Sequence, residues 1–289
     1  ELALVFTAQW FRLGGGVVHP LMRRYAVRNI VIEVSELSST KDYLFEMQEL
    51  QADEWIRERL SDDSLDEDSE EYQELAEEYS NYQEHLREEA EWQAELRWLK
   101  DNGSSNIHNI FVSELDALRI MFDSNVNNPQ KMAFILHTNI VVKMSYAYAV
   151  TLLESYLGDT LRALISQDEQ FLKNALRKFK VLKSVKLTDV VETDLDVKSL
   201  VLRYVSDVLY HNIPNVVEMY EQVLGVKLEI DISKVVKITK LRHDIVHRNG
   251  RNVDGSTISV GAQDFTQAIS DIKEFTGALQ RAINDNQTA

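Results

Sequence analysis

From Glu70 to Lys100 the chain runs without a glycine or a proline. Its apolar residues there, Tyr72, Leu75, Tyr79, Tyr82, Leu86, Trp92, Leu96 and Leu99, recur at steps that keep them on one face of an α-helix. A strand of that length has no such pattern, so this segment predicts a long helix. Breakers are scarce elsewhere too, with 10 Gly and 3 Pro in 289 residues, which leaves few turns for β architecture. The expectation is an all-α fold.

Along the rest of the chain the same period recurs. Tyr43, Leu44, Met47, Leu50, Trp55 and Ile56 predict a helix over 41–60. Ser61–Ser69 is an acidic break, and Ser69 is a candidate N-cap for the long helix. Helices 41–60 and 70–100 therefore predict an antiparallel hairpin. Asp101-Asn102-Gly103-Ser104-Ser105 ends it, a further amphipathic helix covers 107–124, and Asn125–Pro129 is a polar break. Helices follow over 131–166, 168–182, 197–210, 214–224, 232–247 and 263–284, with a polar turn at 183–196 and a glycine-containing loop at 250–262. Pro214 suits a helical first turn, and Asn249-Gly250 is a helix stop. Tyr25–Val34 is ambiguous between strand and helix. The domain boundary is expected near 125/126, with an N-terminal module over 1–125 and a second domain over 126–289.

Charge is unevenly placed. Residues 33–101 hold 24 Asp/Glu against 6 Lys/Arg, a net of −18, while the whole chain carries −16. The remainder is therefore about neutral and free to meet a polyanion. The acidic hairpin is either a solvated arm or a nucleic-acid mimic that shields a basic cleft or docks a partner protein. Its aromatics, Trp55, Tyr72, Tyr79, Tyr82, Trp92 and Trp98, are expected to pack rather than stack on bases, because the surrounding carboxylates repel phosphate.

Several chemistries find no support. There is no Cys, hence no disulfide, thiolate metal site or Cys nucleophile, which fits a reducing cytoplasm. No apolar run is long enough to span a membrane. His19, His85, His108, His137 and His211 show no metal-ligand spacing, and Gly14-Gly15-Gly16 lacks the Lys-Ser/Thr of a phosphate loop. No cofactor and no metal are expected. Residues 1–22 lack a basic stretch ahead of their apolar part and read as a processed or appended start rather than a secretion signal.

The informative stretch is Leu241-Arg242-His243-Asp244-Ile245-Val246-His247-Arg248-Asn249-Gly250. A guanidinium grips phosphate oxygens with a planar fork and stays charged. An imidazole exchanges a proton near neutral pH. RNA brings its own nucleophile, the 2′-hydroxyl, so orientation, charge stabilisation and two proton transfers suffice for scission. Arg242 and His247 are five positions apart, roughly 140° around a helix, so they border a cleft rather than stack on one line. Lys234, Lys237 and Lys240 extend positive charge along the same helix, and Arg248 and Arg251 carry it past the end. Ile245 and Val246 are apolar and can bury.

Arg242-His243-Asp244-Ile245-Val246-His247-Arg248-Asn249-Gly250 resembles the Arg-x4-6-His motif of the HEPN superfamily. Residues 148–165, with Glu154 inside an apolar face, are similar to the first HEPN helix. Residues 205–231 resemble the stretch that precedes the motif in bacterial HEPN ribonucleases. The likeness covers about residues 132–285 and leaves 1–125 without a counterpart. It implies an up-and-down helical bundle that forms a homodimer with its motifs face to face. It also implies metal-independent endoribonuclease activity with a cyclic phosphate product, in anti-phage defence or as a toxin with a cognate antitoxin.

On that resemblance Arg242 stabilises the scissile phosphate and His247 transfers protons. His243 takes the polar position after the arginine, and Glu154 the polar position of the first helix. Lys240, Arg248, Asn249, Lys237, Arg251 and Lys178 are expected to contact RNA. A related toxin group carries a nucleotidylated Tyr two positions after the motif His; Asn249 stands there, so that control does not carry over. Four plainer readings remain beside these. The domain can bind RNA or a partner without cleaving, or His247 and Arg248 can simply favour a helix terminus. Glu154 can be a buried or interface carboxylate paired with an Arg, and Lys173, Arg177, Lys178, Lys180, Lys183 and Lys186 can be a solvated helix face rather than an RNA-backbone track or a seat for the chain's own acidic helices.

Overall fold

The structure is a computed structural model that describes residues 42–43, 45–62, 64–126, 136–180, 196–248, 250–251 and 254–287. The readings of residues 1–41, the breaks around 127–135 and 183–195, and Asn249 lie outside these. Among the described residues the chain is all-α: eight helices, no strand, and one isolated bridge between Arg251 and Thr257. No helix among them is long and apolar enough to cross a membrane.

The chain divides between Ala90 and Glu91 into two compact units. In the first, α1 (45–57) folds back against the start of α2 (Glu70–Val126), as the period predicts. Ser61 closes the turn by donating from its backbone N–H and its Oγ to Glu71, at 2.7 and 2.6 Å. The Ser69 Oγ accepts from the Tyr72 N–H at 3.3 Å and caps α2. Trp55 packs against Tyr79 and Tyr82 with ring centroids 5.3 and 6.4 Å apart, and the Arg59 guanidinium lies 3.9 Å over its ring. These aromatics supply packing, which matters in a unit where Ile56 alone is buried among the described residues.

The second unit begins earlier than the expected boundary at 125/126. Leu99, Ile107, Phe111, Leu115, Leu118 and Phe122 are buried in the same core as the C-terminal helices, so 91–126 belongs with them. Gly103 explains why the sequence reads as two helices here. It alone leaves helical geometry, at φ 68° and ψ 169°, and the helix resumes at once beyond it. A side chain there would have to hold a left-handed φ, which glycine does freely.

Helix α3 (Thr138–Gln167) is the axis of this unit. It packs against α4 (Glu169–Lys178), α5 (Val197–Ser206), α6 (Ile213–Leu224), α7 (Ser233–His247) and α8 (Ala262–Gln287). Its residues are buried almost all round from Ala149 to Ile165, which is why its apolar pattern reads as nearly continuous. Asp168 caps α4 by accepting from the Gln170 and Phe171 N–H groups, and Asp196 caps α5 by accepting from the Ser199 N–H. The Tyr220 hydroxyl, fully buried, donates to the Leu157 carbonyl at 2.7 Å and fixes α6 on α3. α5 ends at Ser206, four residues short of the expected helix, and Tyr210 closes the turn by donating to the Val205 carbonyl at 2.8 Å.

Candidate active site

Helix α7 carries the motif. Its Val235, Ile238 and Thr239 are buried, and Leu241 and Ile245 pack against the core. That anchoring decides where the remaining side chains point. Val246, expected to bury, is instead 48% exposed, because it lies on the flank of α7 that opens onto a groove. The groove measures about 630 Å³ and is lined by Leu118, Met121, Met144, Tyr148, Arg242 and Val246. Met144 and Tyr148 on α3 are more than half exposed, at 68% and 52%.

Arg242 and Glu154 meet across the α7–α3 seam. The Arg242 Nη2 and the Glu154 Oε2 are 3.7 Å apart, too far for a hydrogen bond but close enough for charge attraction. Both side chains are about four-fifths covered. Each also keeps one buried polar atom without a bond: the Arg242 Nε and the Glu154 Oε1. Unmet buried donors and acceptors carry a desolvation cost that a ligand oxygen or hydroxyl relieves. On its other side Glu154 borders a polar cleft with Arg162, whose guanidinium is held by Glu95 at 2.8 Å and Asp159 at 2.7 Å. Burial pushes the Asp159 carboxyl above the usual range, partly offset by Arg162.

His243 and His247 lie one turn apart on the exposed face of α7, with ring centroids 4.7 Å apart. Arg242 faces α3 at the groove, whereas both imidazoles face solvent. The structure thus brings Arg242 to Glu154 and His243 to His247, as two adjacent pairs on one helix.

The basic residues separate into kinds. Lys237 and Lys240 are exposed on α7. Lys234 is held by Asp271 at 3.1 Å and Glu274 at 2.9 Å on α8, so much of its charge is met within the fold. Arg248 pairs with Asp244 at 3.4 Å. Arg251 is exposed beyond the helix, at the bridge to Thr257. Lys178 stands on α4, whose main packing partners are α3, α5 and α6, so it does not join the motif. Asn249 lies outside the described residues.

One residue at this site escaped the sequence reading. Lys143 on α3 places its Nζ beside Gly250, where a Cβ would stand only 2.6 Å from it. Gly250 has φ 70°, is buried, and donates its N–H to the carbonyls of Asp244 and Ile245. Its carbonyl accepts from the Ile258 N–H at 2.8 Å. A signal for Lys143 did exist: it is eleven residues from Glu154, three full turns, so the two share a helical face. Among the described residues no group of three His, Asp or Glu side chains converges where a metal ion could be held. Comparison with protein-family models, with curated proteins and with solved structures finds no match to this chain.

Proposed function

We propose that the second unit is an endoribonuclease that cuts RNA by attack of the 2′-hydroxyl on the adjacent phosphate, in the manner of HEPN proteins. The observation that carries this reading is Arg242 itself: a guanidinium at an open groove, 3.7 Å from its only ion-pair partner among the described residues, with its Nε buried and unbonded. A phosphate oxygen that reaches the exposed fifth of the guanidinium meets its charge. Glu154 orients the guanidinium from across the seam. His247, exposed beside His243, is the proton-transfer group. Because His247 and Arg242 face different ways on one helix, the complete site is expected at a seam between two copies. The exposed Met144, Tyr148 and Val246 support that seam, since apolar groups of this size favour burial against a partner. The setting is the cytoplasm, in phage defence or as a toxin with an antitoxin.

The test is incubation of the protein with total RNA in EDTA, beside Arg242→Ala and His247→Ala. Cleavage by the parent alone supports the reading. No cleavage by any of the three, with equal RNA binding, favours a second reading: a non-cleaving HEPN scaffold that holds RNA or a partner protein. The apolar walls of the groove are the observation that speaks for the scaffold.

A further inference from the structure

We infer that Lys143 forms a second phosphate subsite, which grips the RNA backbone at a nucleotide other than the one being cut. The inference rests on the ribonuclease reading and extends it to a residue outside the motif. Helices α3 and α7 run antiparallel, since Glu154 faces Arg242 while Lys143 faces Gly250. Arg242 and Lys143 therefore mark opposite ends of one seam. Glu154 and Lys143 are eleven residues apart, about 16 Å of helical rise. One phosphodiester cannot span that distance, so the two cations serve different phosphates of one strand.

Three further observations fit a ligand role for Lys143. Its side chain is only partly buried and forms no ion pair among the described residues, unlike Lys234, Lys273 and Arg162 in the same unit. Its amine lies against a position without a side chain, so a bulkier residue at 250 would compete for the space. The carboxylate that α7 itself carries near its end, Asp244, is already engaged by Arg248 at 3.4 Å. An ammonium held at this end of the seam meets a polyanion without first breaking an ion pair with any described residue. It acts as a point charge, suited to holding backbone rather than to shaping a transition state.

Strand-length dependence is the consequence. A dinucleotide occupies only the Arg242 end, while a longer RNA reaches Lys143 as well. Lys143→Gln should raise KM about tenfold on a twelve-nucleotide RNA, the loss of one charge-assisted contact. It should leave kcat within about twofold and leave dinucleotide cleavage unchanged. The slope of log affinity against log salt should fall by about one unit. Lys143→Arg should restore KM, and thermal melting of both variants checks that the fold is intact. Equal KM for parent and Lys143→Gln on the long RNA overturns the subsite alone. So does an equal loss on both substrates, or a lowered melting point with unchanged RNA kinetics, which would mark a structural lysine at a helix end. A parent that cleaves neither substrate overturns the ribonuclease reading together with this one.

Discussion

At Arg242 the ion pair with Glu154 is open: the charges attract at 3.7 Å, yet no hydrogen bond closes between them. A planar fork in that state can take a phosphate without the cost of breaking an internal bond. Arg242→Lys keeps the charge and loses the fork, and should lower the proposed RNA-cleaving kcat by about a hundredfold or more, the cost of one preorganised donor at developing charge. Single-turnover cleavage measures it, and a change within twofold would contradict the role given to the guanidinium. His108 makes a different prediction. Its ring sits among Phe111 and Tyr156, and burial holds its pKa below the ordinary 6.5. The unfolded chain then binds a proton that the folded chain refuses, so stability present above about pH 6.5 is lost as the pH falls through the lowered value. Thermal melting should decline from pH 7 to pH 5, and His108→Phe should flatten that decline; parallel curves would rule His108 out as a cause.

At the scale of the helix, burial decides which positions matter. Leu153 on α3 is fully buried, while Met144 on the same helix is largely exposed. Leu153→Ala should cost about 2–5 kcal/mol in urea denaturation through the cavity it leaves. Met144→Ala should cost about 0.5 kcal/mol or less, as usual for surface sites. Similar losses at both would mean that the groove is closed in solution. Most helices were legible in the sequence because their period and start signals are local: Ser69 and Pro214, read as helix starts, stand there, and Asp168 and Asp196 cap two more helices in the structure. The end of α5 was not, since its stop depends on a hydrogen bond from Tyr210. The domain boundary was not legible either. The residues after Gly103 are amphipathic in either domain, and only their burial beside α3 and α8 assigns them. At the site, Arg242, His247 and Glu154 could be singled out because chemistry marks them. Lys143 was harder to single out: its three-turn spacing from Glu154 puts it on the same face, but its position against Gly250 comes from a loop more than a hundred residues away.

Across the whole molecule the charge is divided more sharply than the fold. Residues 1–90 hold 22 acidic against 8 basic residues, a net of −14, and 91–289 hold 25 against 23, a net of −2. An acidic unit tethered to the proposed nuclease unit repels RNA through the solvent. Replacing the exposed Glu74, Glu77, Glu78 and Glu88 by Gln takes the chain from −16 to −12. RNA should then bind more tightly at low salt, with the gain fading as the screening length shrinks at higher salt. An unchanged Kd at low salt would show that the acidic unit has no bearing on RNA.

Because the account turns on RNA supplying its own nucleophile, with one guanidinium and one imidazole of α7 assisting, the product termini are the most direct readout. The parent, Arg242→Ala and His247→Ala are each incubated with an end-labelled RNA in EDTA, and the new ends are analysed chemically. The parent alone should yield 2′,3′-cyclic phosphate and 5′-hydroxyl ends. Ends bearing a 3′-hydroxyl and a 5′-phosphate, or the same cyclic ends still formed after His247→Ala, would contradict it.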